Sequence, residues 1–192
     1  MPAKKLPTFI IILLASSAYF LFVAMDTLSK YMTQHIEVYQ LVWGRYFFHL
    51  IAMLTYFAIF KPKLDLKKNF KIQIVRSALL VFATFLMFNA LKLFTLVDIY
   101  VLFFTAPLIL ALLSAIFLKD NLSLVGWILM GLSFLAIVYT LGPSMKVMSF
   151  EIAFAFLIPV CWSLYQFFTK LISNNREPFV AVFYSGLVGS VI

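Results

Sequence analysis

Three ionisable side chains, Asp26, Arg45 and His49, lie inside long apolar runs of the sequence. A charge within a membrane helix costs several kcal/mol unless it is paired or wetted, so each is a functional candidate by default. Arg45 follows Glu37 by eight residues, about 12 Å along a helix, which is too deep for easy solvation. We expect Asp26 to meet Arg45 at a similar depth, as a pair that either lines a solute path or only fixes helix packing. The alternative for Asp26 is a place among the headgroups at the outer end of its helix.

Further polar side chains share helical faces with these three. Tyr19 lies on the same stripe of the first helix as Asp26, and Arg45 and His49 are four residues apart and share a face of the second. A histidine imidazole ordinarily titrates near neutral pH, so His49 could serve proton coupling, although packing against a polar neighbour is the favoured interpretation. Asn89 can bind a substrate or, as is common in membrane helices, bond to a neighbouring helix.

A second group, Trp162, Tyr165 and Gln166, stands near the C-terminus. The two aromatic rings could stack on a flat or cationic ligand, or they could serve ordinary aromatic packing. Gln166 takes the place that Asp26 has in the first part of the chain, so that position is neutral here. We expect these three side chains to form the wall opposite Asp26, Arg45 and His49.

The composition indicates an integral membrane protein. Of 192 residues, 65% are hydrophobic and only 11% are charged, with a mean hydropathy of +1.07. A soluble domain is about half apolar and about a quarter charged. The apolar runs are continuous and near 20 residues long, whereas strands of a membrane barrel alternate over about 10 residues. Helices are therefore predicted.

The net charge of +8 lies mainly in the predicted loops. A soluble protein with this charge would suggest nucleic acid as a partner, but here an excess of Lys and Arg on cytoplasmic loops explains it. One side holds three of these residues; the other holds Lys4, Lys5, Lys61, Lys63, Lys67, Lys68, Lys71, Lys119, Lys170 and Arg176. We expect a multi-pass protein of the inner (plasma) membrane with a cytoplasmic N-terminus.

Seven membrane helices are predicted from the apolar runs and the polar or proline residues that end them. Arg76, near the start of the third, is expected to extend its head to the interface. Pro107 and Pro159 are expected to kink the fourth and sixth, as hinges or as tolerated irregularities. The predicted helices cover Thr8–Tyr31, Val38–Phe60, Ile72–Leu93, Ile99–Leu118, Leu122–Leu141, Ile152–Leu171 and Pro178–Ile192.

The end of the first helix and the turn after it recur later in the chain. Ser29-Lys30 returns as Thr169-Lys170 and Glu37 returns as Glu177, both 140 residues further on. The repeat unit would hold five helices, so the second copy would enter the membrane inverted, as in many secondary transporters. We expect a first five-helix repeat over residues 1–142 and a truncated second repeat over 143–192. The chain would then be a fragment or a truncated gene product.

The chain resembles EamA-type members of the drug/metabolite transporter superfamily along its whole length. The resemblance rests on LSKY in the first helix, Arg45-Tyr46 in the second, GWILMG in the fifth, and RSALLVFATFLMFNALKLFTLVDIYVLFFTAPLILALLSAIFLKDNL across the third and fourth. Pro107 fits the family pattern, whereas Asp120 stands where the family more often has Glu. The resemblance implies ten helices around a central cavity, working without ATP. The members it looks most like are metabolite uptake carriers, including S-adenosylmethionine transporters.

The expected function is secondary transport of a small polar metabolite, amino-acid-like or nucleoside-like, with S-adenosylmethionine as one candidate, by alternating access. A non-transporting membrane fragment or scaffold is the main alternative, and a membrane enzyme acting on lipid is a lesser one. The sequence shows no Gly-rich phosphate loop and no Ser-His-Asp set, so no enzyme activity is expected. No cofactor or metal is expected. The expected partners are a small-molecule substrate and the lipid bilayer, with no nucleic acid, and a homodimer is left open.

Overall fold

In the computed structural model of the chain, residues 7–62, 66–118, 123–141, 150–172 and 178–191 are described. These ranges contain eight helices and no strand. The helices are α1 (Thr8–Met32), α2 (Val38–Phe60), α3 (Phe70–Leu93), α4 (Leu96–Phe103), α5 (Thr105–Phe117), α6 (Leu124–Leu141), α7 (Phe150–Ile172) and α8 (Pro178–Val191).

Six spans among the described residues are long and apolar enough to cross a membrane, with α4 and α5 together forming one of them. The seventh apolar helix, at the end of the chain, is shorter. The prediction of an all-α, polytopic membrane protein is confirmed. Of the turns expected between the helices, those at 119–121 and 173–177 and the Gly142-Pro143 stop lie outside the described residues.

Local signals set the helix ends. α2 ends at Phe60 because Lys61 adopts a left-handed conformation (φ 42°) and returns its N–H to the Phe57 carbonyl. Pro62 then prevents continuation. α4 begins at Leu96, three residues earlier than predicted, because the Thr95 hydroxyl caps it by accepting from the Asp98 N–H at 3.2 Å.

The predicted fourth helix is interrupted at Phe104, between α4 and α5. Pro107 explains the interruption, since it has no N–H for the carbonyl of Phe103 four residues before it. The kink expected at Pro107 is therefore present as a break. α7 continues through Pro159.

Helix α3 is the centre of the packing. Its buried side chains include Leu86, Phe88 and Leu91 at 0–1% exposure, and the helix packs most extensively against α7 and α8. Ile158 of α7 and Val180 of α8 are equally buried. By contrast, α1 and α6 expose most of their apolar residues, as expected of helix surfaces that face lipid.

Helix α8 lies close against α2. The Cα of Gly189 packs on the Tyr46 ring so tightly that a Cβ there would lie 2.3 Å from the ring's Cγ. Small residues allow this kind of approach between membrane helices. Trp43 Nε1 donates to the Ser190 carbonyl at 3.2 Å on the same contact.

Arg76 corrects one expectation. The sequence places it near a loop, with its head reaching the interface, but its side chain is only 2% exposed. α7 and α8 cover it, and the guanidinium bonds to both helices. The expectation is wrong because it considered depth along α3 alone and not the helices that pack over that depth.

Candidate functional site

A cavity of about 680 Å³ opens between α1, the α4–α5 segment and α7. Its volume lies in the range of pockets that hold small organic molecules. Its wall is mostly apolar and aromatic, with polar groups contributed by the Ser163 hydroxyl and the Gln166 amide. The aromatic members are Tyr19, Phe22, Tyr100, Phe103, Phe104 and Trp162.

The break between α4 and α5 shapes this wall. Phe103, Phe104 and Pro107 all line the cavity at the break. The Ser163 hydroxyl lies within hydrogen-bond distance of two carbonyls, that of Ala106 at 2.9 Å and that of Pro159 at 2.6 Å. It thereby links α5 to α7 at the point where the two prolines remove backbone donors.

Trp162 stands where α4 and α7 face each other. Its ring centroid lies 5.3 Å from that of Phe103 and 5.3 Å from that of Tyr165, both tilted. Trp162 and Gln166 line the cavity, whereas Tyr165 faces away from it and lies beneath the Arg76 guanidinium, 5.1 Å from ring centroid to Cζ. Two of the three residues expected on this wall are therefore at the cavity.

Asp26 lies behind the cavity wall and is fully buried. The Tyr100 hydroxyl donates to its Oδ2 at 2.7 Å, while Oδ1 has no hydrogen-bond partner in the described part of the chain. Asp26 is therefore buried by other helices, and it is not exposed at the end of its helix as the headgroup alternative would require. Because Tyr100 also lines the cavity, it is the connection between the cavity and the acid.

The expected ion pair between Asp26 and Arg45 is not formed within 4 Å among the described residues. Arg45 acts on the Asp26 carboxyl only through longer-range electrostatics. Its guanidinium instead lies over aromatic rings, with Cζ 5.7 Å from the Phe88 centroid and 5.9 Å from those of Phe22 and Tyr46. Rings of this kind can attract a cation without a carboxylate. The sequence could not show that these rings surround Arg45.

His49 and Asn89 do not line the cavity. The His49 ring Nε2 lies 3.1 Å from the Val182 carbonyl, which can only accept, so Nε2 carries a proton and ties α2 to α8. Asn89 Nδ2 donates to the Phe85 carbonyl of its own helix at 2.8 Å. Both side chains make structural contacts here, and the candidate roles in binding or coupling remain untested predictions.

Sequence reasoning missed Tyr100, Phe22 and the Phe103–Phe104 pair. The sequence did contain a signal for Tyr100. A buried carboxyl group such as that of Asp26 needs a hydrogen-bond donor, and Tyr100 carries a hydroxyl within an apolar run. The phenylalanines carried no such signal, since the chain has 23 of them and most meet lipid or core.

Residues 9–142 match the EamA-like transporter family, which is more than half of the chain. The chain belongs to the EamA-like transporter family. The resemblance to EamA-type permeases of the drug/metabolite transporter superfamily is thus confirmed. Membership in the EamA-like transporter family points to a transporter rather than an enzyme.

The chain is also similar to curated proteins that are all named S-adenosylmethionine uptake transporters. The chain is 25% identical over 185 residues to the one from Rickettsia conorii, and the match covers 96% of the chain and 60% of the relative. The same values hold for the transporter of that name from Rickettsia felis. The one from Rickettsia prowazekii is 23% identical over 168 residues, covering 87% of the chain and 57% of the relative. The chain thus spans about three fifths of these relatives' length. No solved structure matches it.

Proposed function

We propose that the chain takes part in secondary transport of a small polar metabolite that carries a flat ring and a positive charge, with S-adenosylmethionine as the leading candidate. The observation that supports this most is the aromatic cavity with a buried acid one side chain behind it. Faces of Trp and Tyr attract a desolvated cation and also stack on flat rings. Trp162 and Tyr19 offer such faces.

The carboxyl group of Asp26 also supports a positively charged solute. Asp26 stands behind Tyr100, which holds one carboxylate oxygen and faces the cavity. A negative charge placed there favours a cation in the cavity over an anion. The names of the relatives agree, because S-adenosylmethionine combines a positively charged sulfonium with an adenine ring.

Binding can be measured from Trp162 itself. Substituting Trp43 and Trp127 by Phe leaves Trp162 as the one tryptophan, since the chain has three. We expect S-adenosylmethionine to quench its fluorescence in a saturable manner, and S-adenosylhomocysteine, which lacks the sulfonium charge, to bind more weakly. Fluorescence that stays unchanged up to millimolar ligand would rule out binding at this wall.

Uptake into proteoliposomes then tests transport. Trp162→Ala should abolish accumulation of labelled substrate, because it removes the central ring of the cavity. Trp127→Ala is the matched control, since Trp127 lies on α6 and is 46% exposed outside the cavity. Binding without uptake would instead favour the alternative of a non-transporting membrane fragment.

The proposed mechanism is alternating access between two inverted repeats, over residues 1–142 and 143–192. Two coincidences of helix bounds support the repeat: α1 ends at Met32 and α7 at Ile172, while α2 begins at Val38 and α8 at Pro178. Each pair is separated by the 140 residues found between the polar matches. Two complete repeats of this kind can pack in two nearly equal ways, one open to each side, and residues 143–192 supply the first two helices of the second repeat.

An inverted repeat also fixes the sidedness of the loops. We propose an inner-membrane location with the N-terminus in the cytoplasm, which places Lys119 inside and Lys146 outside. Single cysteines introduced at these positions should react with an impermeant maleimide from opposite sides of the membrane. Labelling of both from one side would contradict the repeat. A homodimer stays an open prediction.

A further inference from the structure

A polar cluster outside the cavity carries a positive charge with no oppositely charged partner among the described residues. Gln73, Arg76 and Ser77 lie on one face of α3, and each is at most 6% exposed. No carboxylate lies within 4 Å of the Arg76 guanidinium among the described residues. An isolated buried charge costs several kcal/mol unless it is compensated.

The acceptors that Arg76 does have are all neutral. Its Nη2 donates to the Ala181 carbonyl at 2.5 Å and to the Ser185 hydroxyl at 3.2 Å, and its Nη1 to the Thr169 hydroxyl at 3.3 Å. Both hydroxyls direct their own protons to carbonyls of their own helices, at 2.7 Å for Thr169 and 3.1 Å for Ser185. The guanidinium charge is therefore solvated by dipoles and by the Tyr165 ring, and no described residue neutralises it.

Two donors in the cluster have no acceptor among the residues that the structure describes. Arg76 Nε and the Ser77 hydroxyl are buried and make no hydrogen bond, and the Gln73 side-chain oxygen is likewise unbonded. Buried polar groups almost always have hydrogen-bond partners, so three unbonded polar atoms on one face of a helix require an explanation. A water molecule would satisfy the neutral donors, but it would leave the positive charge uncompensated.

We propose that Arg76 and Ser77 form a binding site for a small monovalent anion, at the junction of α3, α7 and α8. One anion would neutralise the guanidinium and accept from both Nε and the Ser77 hydroxyl. Full burial selects a small ligand, either a free ion such as chloride or the carboxylate group of a transported solute. The site is separate from the aromatic cavity, whose lining contains neither residue.

The test is thermal unfolding of the purified chain in detergent at constant ionic strength. The potassium salt of 3-(N-morpholino)propanesulfonate, whose anion is bulky and has no carboxylate, is replaced stepwise by potassium chloride or potassium acetate. We expect a saturable rise in the unfolding midpoint, about 3–5 °C at a tenfold excess over the dissociation constant. Arg76→Gln should remove the rise. Lys71→Gln, which removes an exposed charge from the same end of α3, should keep it.

Two further comparisons make the outcome decisive. In the sulfonate salt, Arg76→Gln should be at least as stable as the unaltered chain, because it deletes an uncompensated charge, and chloride or acetate should reverse that order. If Arg76→Gln does not fold, Ser77→Ala decides: it should need about 5–10 times more anion for half of the effect.

A rise with chloride identifies a free ion, and a rise with acetate alone identifies a carboxylate group. An unaltered chain that shows no anion dependence, or an Arg76→Gln variant that responds equally, overturns the proposal. Neither readout requires transport or a ligand at Trp162.

Discussion

Replacing Gly189 by alanine should separate α2 from α8. A Cβ at this position would lie 2.3 Å from Tyr46 Cγ and 2.6 Å from Cδ2, where ordinary contacts begin at 3.4 Å. The ring cannot turn aside, because its hydroxyl is bonded to the Thr84 hydroxyl at 2.8 Å and lies near the Leu80 carbonyl. The helices must therefore move apart by about 1 Å, which is overpacking that costs about 1–3 kcal/mol.

The matched control is Gly131→Ala on α6, where a Cβ would meet nothing within 4 Å. That substitution should be neutral or stabilising by up to about 1 kcal/mol, since alanine favours helix over glycine. Denaturation in mixed micelles, followed by circular dichroism, gives the free energy of unfolding for both. The stability of Gly189→Ala should be lower than that of Gly131→Ala by about 1–3 kcal/mol.

A double-mutant cycle identifies the cause. If the clash with Tyr46 produces the loss, then Gly189→Ala should cost almost nothing in a Tyr46→Ala background, because the ring is gone. Equal stability of the two glycine variants would refute the reasoning. So would a loss that persists unchanged in the Tyr46→Ala background.

Other contacts give shorter predictions. Tyr100→Phe removes the hydroxyl that donates to Asp26 and should lower the free energy of unfolding by about 1.5–3 kcal/mol; an unchanged denaturation midpoint would contradict the contact. Lys30→Gln removes the 2.7 Å bond from Nζ to the carbonyl that follows α3 and should cost about 1–2 kcal/mol by the same assay. Cys161, the one cysteine, is 7% exposed, so a maleimide should label the folded chain far more slowly than the chain in SDS; equal rates would show that α7 packs differently.

The sequence predicted the helices well where strong signals end them. α2 was predicted over Val38–Phe60 and has those bounds, because Lys61-Pro62 stops an apolar helix abruptly. α1 differs by one residue at its end. The start of α4 was predicted three residues too late, because the Thr95 cap was overlooked; Asp98 lies in the first turn of the helix.

The side-chain partners were harder to predict, for a physical reason. Depth along a helix follows from counting residues, but the facing helix depends on how the whole bundle packs. Asp26 and Arg45 were placed at similar depth, yet Tyr100, distant in sequence, is the group that reaches the acid. Arg76 was assigned to the interface because nothing local indicates that α7 and α8 cover it.

Helix α1 is buried against the rest of the chain only near its C-terminal end, so a small rotation about that end displaces its N-terminal part. All its residues from Thr8 to Ala24 are exposed, and its buried residues are Asp26 and Ser29 alone. From Ser29 to Tyr19 the helix rises about 15 Å, so a pivot of about 10° displaces Tyr19 by about 3 Å without breaking a core contact. The wall that Tyr19 and Phe22 give to the cavity is thus the side whose displacement would disturb few buried residues.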